Sequence, residues 1–585
     1  MADIIARLIT DHVLSPEDGE RIRSLQAEGT SLDDALCSLA GTPCDGLLRF
    51  LAAEFRVPYA DLDSQCPTRE FLSQFPAHIL LEHRLLPLRS DGEGSVLVAT
   101  SRLFDTTGLD ELRLACGHDC RPALASAAEI ERCLKQHLGV GADTMQSLVS
   151  DAGEAVQVLD LAPDDDVDLT QAAEDASIVK FVNEVLTEAI NLRATDVHFE
   201  PFENELRVRY RVDGVLQEAA IPADVRRFQA AIISRLKILS HLDIAEKRLP
   251  QDGRVKLRIA GREIDVRVSV IPMIHGEAIV LRLLDRSAAI LGLEHLGMSQ
   301  ADCASFQRIL GLPHGIVLVT GPTGSGKTTT LYAALSRIND VERKIVTIED
   351  PVEYQLRGIN QIQISTKAGL TFARGLRSIL RHDPDVVLVG EIRDRETADI
   401  AVQASLTGHL VFSTLHTNDA PGALTRLVDM GIEPYLVASS LEAVLAQRLV
   451  RLICPACRES LPEADVQRAR TQYGLDNLEA LHRGRGCRHC QGTGYHGRAG
   501  IFEFMVISDD VRALILENTS AGVVRKAAQA HGMRNLREDG WRLVLEGRTT
   551  VEEVLRVTKD ERFNGNGFIP PADAKPAGSG TGGGE

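Results

Sequence analysis

One stretch of the chain, Gly321 to Thr328, constrains its fold more than any other. It reads Gly-Pro-Thr-Gly-Ser-Gly-Lys-Thr and fits the phosphate-loop pattern G-x-x-x-x-G-K-S/T at every fixed position. The apolar run at 316–320 predicts a buried parallel strand before it, and apolar spacing over 328–339 predicts a helix after it. Strand, glycine loop and helix therefore follow in the order that a nucleotide phosphate site requires.

The residue types in this loop suit an anion. Glycines let the backbone approach a phosphate chain closely, and N–H groups at the start of the next helix point at it. The pattern assigns Lys327 to the β- and γ-phosphates of ATP and the Thr328 hydroxyl to Mg²⁺. A chance glycine turn before a helix is disfavoured, because both flanking elements are present. The predicted nucleotide-binding residues are Gly321, Pro322, Thr323, Gly324, Ser325, Gly326, Lys327, Thr328 and Thr329.

Length and charge narrow the class of protein. At 585 residues the chain is too long for one core, and three or four domains are expected. A net charge of −19 argues against a protein that coats nucleic acid, so we expect no nucleic-acid partner. No stretch approaches the ~20 continuous apolar residues of a membrane span, and residues 1–7 do not begin a secretory signal. The sequence predicts a cytoplasmic protein that reaches a membrane only through partners, without inserting into it.

Composition and periodicity divide the chain into segments. Helical patterns at 1–50 and mixed patterns at 51–140 predict a docking domain over 1–140. The later boundaries predict an acidic linker at 141–175, a second α/β domain at 176–290, the phosphate-loop domain at 291–505 with an inserted metal lobe at 452–498, a helical domain at 506–560 and a disordered tail at 561–585. The clearest local patterns are a strand at 95–100, a helix at 127–138 and a hairpin turn at Asp213-Gly214.

Acidic and histidine side chains follow the apolar strands of the phosphate-loop domain. Strand and helix alternate over 291–450, which predicts a parallel sheet with ligands at the carboxyl ends of its strands. Hydrolysis needs a carboxylate near Mg²⁺ and a group that positions water. A lone histidine is usually structural, and we interpret His409 so. The predicted catalytic residues at the strand ends are Glu349, Asp350, Glu353, Glu391 and His416.

Arginines from a neighbouring domain or subunit often complete such a site. One such arginine can contribute on the order of 10³–10⁵ in rate. Arg254 and Arg267 in the second α/β domain are the first candidates. Arg374, Arg377 and Arg381 are alternatives, and the sequence alone leaves the choice open.

Two C-x₂-C pairs predict a metal site. The pairs are Cys454 with Cys457 and Cys487 with Cys490, and their separation is longer than the ~15–20 residues of a common zinc ribbon. Four thiolates suit tetrahedral zinc and leave no open position for water, so the predicted zinc is structural. The alternatives are four cysteines without a metal, or a histidine in place of one ligand.

With these residues assembled, the chain resembles the type II secretion and type IV pilus assembly ATPases. Residues 321–330, IVTIEDPVEY at 345–354, RHDPDVVLVGEIRD at 381–394 and GHLVFSTLHTND at 408–419 are similar to that family's Walker A, Asp, Walker B and His boxes. RLPQDGR at 248–254 and DVRVS at 265–269 resemble its second N-terminal domain. The resemblance covers 176–560 firmly and 50–140 weakly.

The resemblance implies a fold, an enzymatic activity and a set of partners. The fold would be α/β, with a RecA-like P-loop core, a smaller PAS-like α/β domain before it, an N-terminal docking domain and an inserted zinc lobe. The activity would be Mg²⁺-dependent ATP hydrolysis by a cytoplasmic homohexamer. Its partners would be an inner-membrane platform protein and a membrane-anchored recruiter of a type II secretion system. Glu349 and Glu391 would serve metal and water, and Arg254 and Arg267 would reach the nucleotide.

Other functions stay open at this point. A pilus extension ATPase would use the same chemistry on a different polymer. A nucleotide-binding scaffold would have lost Lys327, Glu391 or His416, and all are present. A nucleic-acid motor would carry a basic stripe with interleaved aromatic residues, which this acidic sequence lacks.

Overall fold

A computed structural model describes residues 2–10, 14–27, 32–33, 35, 45–62, 65–72, 74–90, 95–138, 176–259, 262–285 and 292–558. The predicted acidic linker at 141–175 and the predicted tail at 561–585 lie outside the described residues. The chain forms two compact units, unit 1 at 1–287 and unit 2 at 288–585.

The first part of unit 1 joins short helices to a small sheet. Its elements are the helices Ala2–Thr10, Pro16–Ala27, Asp45–Phe55, Arg69–Leu72, Ala77–Glu82, Thr107–Cys116 and Ala127–Leu138 and the strands β1 (Leu86–Ser90), β2 (Ser95–Thr100) and β3 (Asp119–Leu124). β2 pairs antiparallel with β1 and parallel with β3. The predicted strand at 95–100 and helix at 127–138 are confirmed.

A buried carboxylate ties the N-terminal helices to this sheet. The Asp33 oxygens accept the N–H groups of Leu103 at 3.2 Å and of Phe104 and Asp105 at 2.9 Å. Burial raises the pKa of Asp33, although these N–H groups oppose the shift. Leu124 of β3 also packs in the core of the N-terminal helices. The predicted helical and α/β parts of 1–140 therefore share contacts.

The second part of unit 1 is an antiparallel sheet with helices on one face. Its elements are the helices Ala176–Asn191 and Gln229–Leu239, the 3₁₀ turn Ala223–Phe228 and the strands β4 (Ala194–Pro201), β5 (Leu206–Val212), β6 (Val215–Glu218), β7 (Gln251–Ile259), β8 (Arg262–Met273) and β9 (Gly276–Asp285). The strand order is β6-β5-β4-β9-β8-β7. Asp213 and Gly214 have φ of 48° and 85°, which confirms the predicted hairpin turn between β5 and β6.

An ion pair lies in the interior of this part. The Lys237 Nζ lies 2.5 Å from the Glu277 Oε1, and the two side chains are 1% and 9% exposed. The Nζ also donates to the carbonyl of Glu246 at 2.9 Å. The Gln251 amide donates to the same carbonyl at 2.8 Å. The pair therefore links a helix, β9 and the loop that leads into β7.

Unit 2 is built on a mostly parallel sheet. Its strands are β10 (Gly315–Thr320), β11 (Ile345–Glu349), β12 (Asn360–Gln363), β13 (Val386–Val389), β14 (Leu410–Leu415), β15 (Leu441–Ile453), β16 (Arg458–Ser460), β17 (His482–Gly484) and β18 (Tyr495–Val506). Its helices are Gln300–Leu310, Lys327–Ile338, Phe372–Ile379, Arg395–Leu406, Ala420–Asp429, Pro434–Ser440, Glu463–Tyr473, Asp509–Leu516, Ala521–Ala530, Leu536–Leu545 and Val551–Val557. The main sheet has the order β12-β11-β13-β14-β10-β15-β18, and only its edge strand β18 pairs antiparallel.

Helices cover both faces of this sheet. Ile316 and Leu318 of β10 pack in one apolar core, while Val317 and Val319 pack in another on the opposite face. Alternate side chains of a strand point to opposite faces, so a strand buried on both sides is apolar throughout. The predicted α/β core with a parallel sheet is confirmed.

Two long antiparallel strands, β15 and β18, extend one side of the sheet. β15 pairs with β10 over 441–446 and with β18 over 443–453. Its far end carries the small sheet of β16 and β17 and the helix Glu463–Tyr473. β15 and β18 were not predicted, because residues 454–494 separate the two strands and no short turn marks them as a pair.

Within the described ranges, no helix has both the length and the apolar character needed to cross a membrane.

Replacing Lys237 by Met should destabilise unit 1 by about 3–5 kcal/mol, because Glu277 would stay buried without a counter-charge. Pulse proteolysis in urea, with mass spectrometry of peptides from 176–285, measures the change. Arg258→Met is the matched control, because its pair with Glu263 is 74% and 66% exposed and should cost under about 1 kcal/mol. An equal effect of both variants would contradict the assignment.

Candidate active site

The phosphate loop follows β10 and leads into the helix Lys327–Ile338. Gly321 has φ of 149°, and a Cβ there would lie 2.6 Å from the carbonyl oxygen of Gln447 on β15. Gly326 has φ of 88°, and a Cβ there would lie 2.8 Å from the side-chain Nε2 of Gln447. The glycines are therefore required by backbone conformation and by the neighbouring strand. Of the predicted nucleotide-binding residues, 321–326 form the loop, and 327–329 form the first turn of the helix.

Lys327 lies folded over the loop. Its Nζ donates to the carbonyl of Gly321 at 2.9 Å and to that of Pro322 at 3.0 Å. Burial lowers the pKa of Lys327, Glu391 partly offsets the shift, and Arg448 adds to it.

The structure brings Glu391 and His416 together. The His416 Nε2 lies 3.2 Å from the Glu391 Oε2, and Arg393 forms an ion pair with the other oxygen of the same carboxylate. Burial alone would raise the pKa of Glu391, but Arg393 and His416 outweigh it and hold the pKa below its usual value. A lowered pKa favours the ionised carboxylate, which is the form that can accept a proton.

Glu349 has different surroundings. It is 4% exposed, and its oxygens accept from the hydroxyls of Tyr332 and Thr347, each at 2.5 Å, and from the Gln361 amide at 3.2 Å. Tyr332 belongs to the helix after the phosphate loop, and burial together with Glu349 raises its pKa. The carboxylate is thus fixed by neutral donors between that helix and β11.

The other members of the acidic cluster lie beside these groups. The Glu353 N–H donates to the Tyr332 hydroxyl at 3.3 Å. The hydrogen bond from Arg393 to Glu391 raises the pKa of Arg393, and the negative charge of Asp350 adds to that shift. His409 lies apart from this cluster, since its Nδ1 lies 2.8 Å from the carbonyl of Ala404 in the preceding helix.

The loop that carries His416 is joined to the phosphate loop. The Thr417 N–H donates to the hydroxyl of Thr320, the last residue of β10, at 2.9 Å. The two threonine hydroxyl oxygens lie 2.6 Å apart. The backbone around His416 is therefore held against the residue that immediately precedes Gly321.

Arg448 on β15 is a candidate site residue that the sequence analysis missed. Its guanidinium donates to the carbonyl of Asn418 at 2.9 Å and to that of Gln447 at 3.0 Å. Burial lowers its pKa, while Asp419 and Glu503 oppose the shift. The signal in the sequence is the Gln447-Arg448 pair, which follows the apolar run Ala443 to Ala446.

The predicted arginines of unit 1 lie side by side. Arg254 on β7 stands directly opposite Arg267 on β8, which in turn stands opposite Arg282 on β9. The Arg254 Nε lies 3.7 Å from Asp265, and the Arg282 Nε lies 3.1 Å from Asp196. Arg282 was not among the predicted residues. The role of Arg254 and Arg267 stays a prediction.

The alternative arginines belong to unit 2. Arg377 pairs with Glu396 at 2.7 Å, and the Arg374 and Arg381 guanidiniums donate to carbonyls of their own helix or its flanking loop.

The predicted metal-binding cysteines form one cluster. Cys454, Cys457, Cys487 and Cys490 bring their Sγ atoms within 4.8 Å of one another. The pairs Cys454–Cys487 and Cys487–Cys490 lie 3.8 Å apart, and Cys457–Cys490 lies 3.7 Å apart. A tetrahedral ion with metal–sulfur bonds of about 2.3 Å requires sulfurs about 3.8 Å apart. The donor set and its spacing therefore fit such an ion.

Two family profiles match this chain. Residues 171–556, more than half of the chain, match the family described as Type II/IV secretion system protein, and residues 55–143 match the MshEN domain.

Individual proteins are also similar. Type II secretion system protein E of Pseudomonas aeruginosa is 52% identical over 465 residues, which cover 76% of this chain and 92% of that protein. The type IV pilus assembly ATPase PilB of Myxococcus xanthus is 40% identical over 562 residues, which cover 95% and 99%. The crystal structure of the pilus retraction motor PilT and bound ADP is similar at a TM-score of 0.44 and 26% identity, covering 65% of this chain and 97% of that chain.

Because the pKa of Glu391 is lowered, its charge persists as pH falls through the ordinary range of Glu and is lost only below it. Arg393→Gln removes the strongest lowering contact, so the acid limb of the pH–rate profile for ATP turnover should move to higher pH. Arg395→Gln, whose pair with Asp399 at 3.5 Å is exposed, should leave the limb in place. An unchanged limb in Arg393→Gln would refute this account.

Proposed function

Because this chain belongs to the type II/IV secretion system protein family, we propose that it is the ATPase that powers a type II secretion system. The observation that carries the hydrolytic part is that the Glu391 Oε2 lies 3.2 Å from the His416 Nε2, while the loop that carries His416 is hydrogen-bonded to the residue before the phosphate loop. The secretory part is supported by 52% identity to a protein that covers most of this chain.

The phosphate loop would bind ATP. Its N–H groups and the first turn of the following helix surround the phosphates, and Lys327 leaves its two carbonyl partners to neutralise the β- and γ-phosphates. The Thr328 hydroxyl and the carboxylates of this edge are oxygen ligands of the kind that Mg²⁺ takes. When bound, Mg²⁺ would neutralise charge on the transferred phosphoryl group.

The residues after the strands would carry hydrolysis. Glu391 accepts the proton of the water that attacks the γ-phosphorus, and the products are ADP and inorganic phosphate. His416 orients Glu391 and contacts the γ-phosphate. Glu349 keeps the edge of β11 in position, with Asp350 and Glu353 beside it. Arg254 and Arg267 are the proposed nucleotide arginines, and their row of adjacent cations favours an anionic ligand.

We propose a homohexamer in the cytoplasm that acts on an inner-membrane platform protein and is held there by a membrane-anchored recruiter bound to residues 1–140. Family membership supports this arrangement, as does the match of residues 55–143 to a separate domain. The net charge of −19 speaks against a nucleic-acid substrate.

A pilus assembly ATPase is the second candidate. The observation in its favour is that the Myxococcus xanthus pilus protein is similar over 95% of this chain, including the N-terminal part, although the identity is only 40%. Both candidates use the same catalytic residues and differ in the partner.

Full-length protein should hydrolyse ATP only with Mg²⁺. Lys327→Ala should lower turnover by more than about 10²-fold, the range for losing one preorganised charge-stabilising donor. Lys344→Ala, whose ammonium lies at the amino end of β11 and contacts the His382 carbonyl, is the matched control and should keep its rate. Turnover is measured as phosphate release. Near-normal release by Lys327→Ala would contradict the assignment of Lys327 to the phosphates of ATP.

The partner decides between the two candidates. Turnover is measured with and without each inner-membrane protein encoded beside this chain. Stimulation by a secretion recruiter, lost when residues 1–140 are removed, would support type II secretion. Stimulation only by a pilus platform protein would favour the second candidate.

We propose zinc as the ion of the cysteine cluster. Four thiolates at tetrahedral spacing are the donor set of structural zinc and leave no position for a reacting water. Burial raises the pKa of Cys457, whereas the N–H groups of Cys487 and Gly494 and the neighbouring thiols outweigh burial and lower the pKa of Cys490. The ion would close the lobe at the far end of β15 and β18.

Protein purified without chelators should contain about one zinc per chain by inductively coupled plasma mass spectrometry. Cys457→Ser should lose the metal and increase hydrogen exchange over 454–490. Cys303→Ser lies outside the cluster and should keep the metal. Wild-type protein without zinc, or Cys457→Ser with a full complement, would count against the site.

A further inference from the structure

A chain of contacts joins the phosphate loop to the C-terminal helices of unit 2. It begins at Thr320, whose hydroxyl holds Thr417. The Thr417 hydroxyl also donates to the carbonyl of Asp419 at 3.0 Å. The loop at 416–419 is thus held at its middle by the residue before Gly321.

Asp419 closes the far end of this loop in two ways. Its Oδ1 accepts the Gly422 N–H at 2.8 Å and caps the helix Ala420–Asp429. Its Oδ2 accepts from the Arg525 guanidinium at 2.6 Å. The two side chains are 33% and 24% exposed, so solvent screens this charged contact only partly.

Arg525 lies on a firmly seated element. The helix Ala521–Ala530 buries Val524 and Ala528 in the apolar core that also contains Ala423 and Leu424 of the capped helix. The backbone at Arg525 therefore keeps a defined position relative to the loop. A side chain of the C-terminal helical segment thus reaches a loop that carries a predicted catalytic residue.

We propose that Arg525 is a positioning residue for hydrolysis, acting through Asp419 on the loop that aims His416 at Glu391. The inference rests on the proposed ATPase function of this site. Arg525 does not touch the reacting atoms, so its loss affects the alignment of His416 and not the binding of the phosphates. The contact also gives the C-terminal helices a direct influence on the rate at the nucleotide, since a displacement of their arginine releases one end of the loop.

The test is a double-mutant cycle in the full chain. Arg525→Gln should lower kcat for ATP by about 5- to 30-fold, the effect of one or two kcal/mol, with KM within about twofold. Asp419→Asn keeps a good helix cap but loses the charge, and should give the same decrease. The double variant should be no slower than either single variant, because both remove one contact. Arg525→Lys should retain an intermediate rate.

A matched control is available on the neighbouring helix. Arg512 donates to both oxygens of Glu442 at 3.1 and 3.0 Å. Glu442 lies at the start of β15, beside the residue that pairs with Ile316, and so at the opposite edge of the sheet from the phosphate loop. Arg512→Gln removes a comparable contact and should keep kcat within about twofold.

A second measurement does not depend on turnover. Hydrogen exchange at the Thr417 and Gly422 amides should increase in Arg525→Gln and stay unchanged in Arg512→Gln. Wild-type kcat in Arg525→Gln, or additive effects in the double variant, would overturn the inference while leaving the ATPase intact. Absence of turnover in the wild type would remove the proposed function instead, and unchanged exchange at these amides would then overturn the positioning role as well. If Arg525→Gln does not fold, Asp419→Asn alone decides.

Discussion

The parallel register of neighbouring strands is the constraint on which the candidate site depends. Thr320 at the end of β10 pairs with Leu415 of β14, and β13 and β11 end on the same edge. Segments more than ninety residues apart, such as Thr320 and Thr417, therefore lie in contact. The carboxyl ends of neighbouring parallel strands meet at the same edge of the sheet, so the loops that follow them can share one ligand.

Two carboxylates at this edge have opposite surroundings. Glu391 contacts the Arg393 guanidinium and the His416 ring, and both lower the pKa of its carboxyl. Glu349 is enclosed by hydroxyl and amide donors, among them Tyr332. Environments that treat two carboxylates differently are how a site divides chemical and positioning roles between them. The same division supports Glu391 as the base and Glu349 as part of the frame.

Much of the fold and the core of the site could be predicted from short stretches. The phosphate loop, the acidic strand ends and the cysteine pairs each occupy a few consecutive residues, where residue type and spacing state the chemistry directly. Arg448 and the strands β15 and β18 were missed because their roles arise from pairing over long separations. β15 pairs with β10, more than 120 residues earlier in the chain, and with β18, which follows only after residues 454–494, so no short stretch of sequence marks it as a strand.

By itself, the sequence determined the nucleotide loop, the α/β class of the core, the order of its motifs and the metal-binding residue types. Those features depend on local geometry, where each residue constrains its near neighbours. Only the tertiary structure decided which side chains meet: Arg525 with Asp419, His416 with Glu391, and Lys237 with Glu277. These contacts join residues 106, 25 and 40 positions apart, and their distances follow from how whole elements pack. No periodicity along the chain encodes such packing.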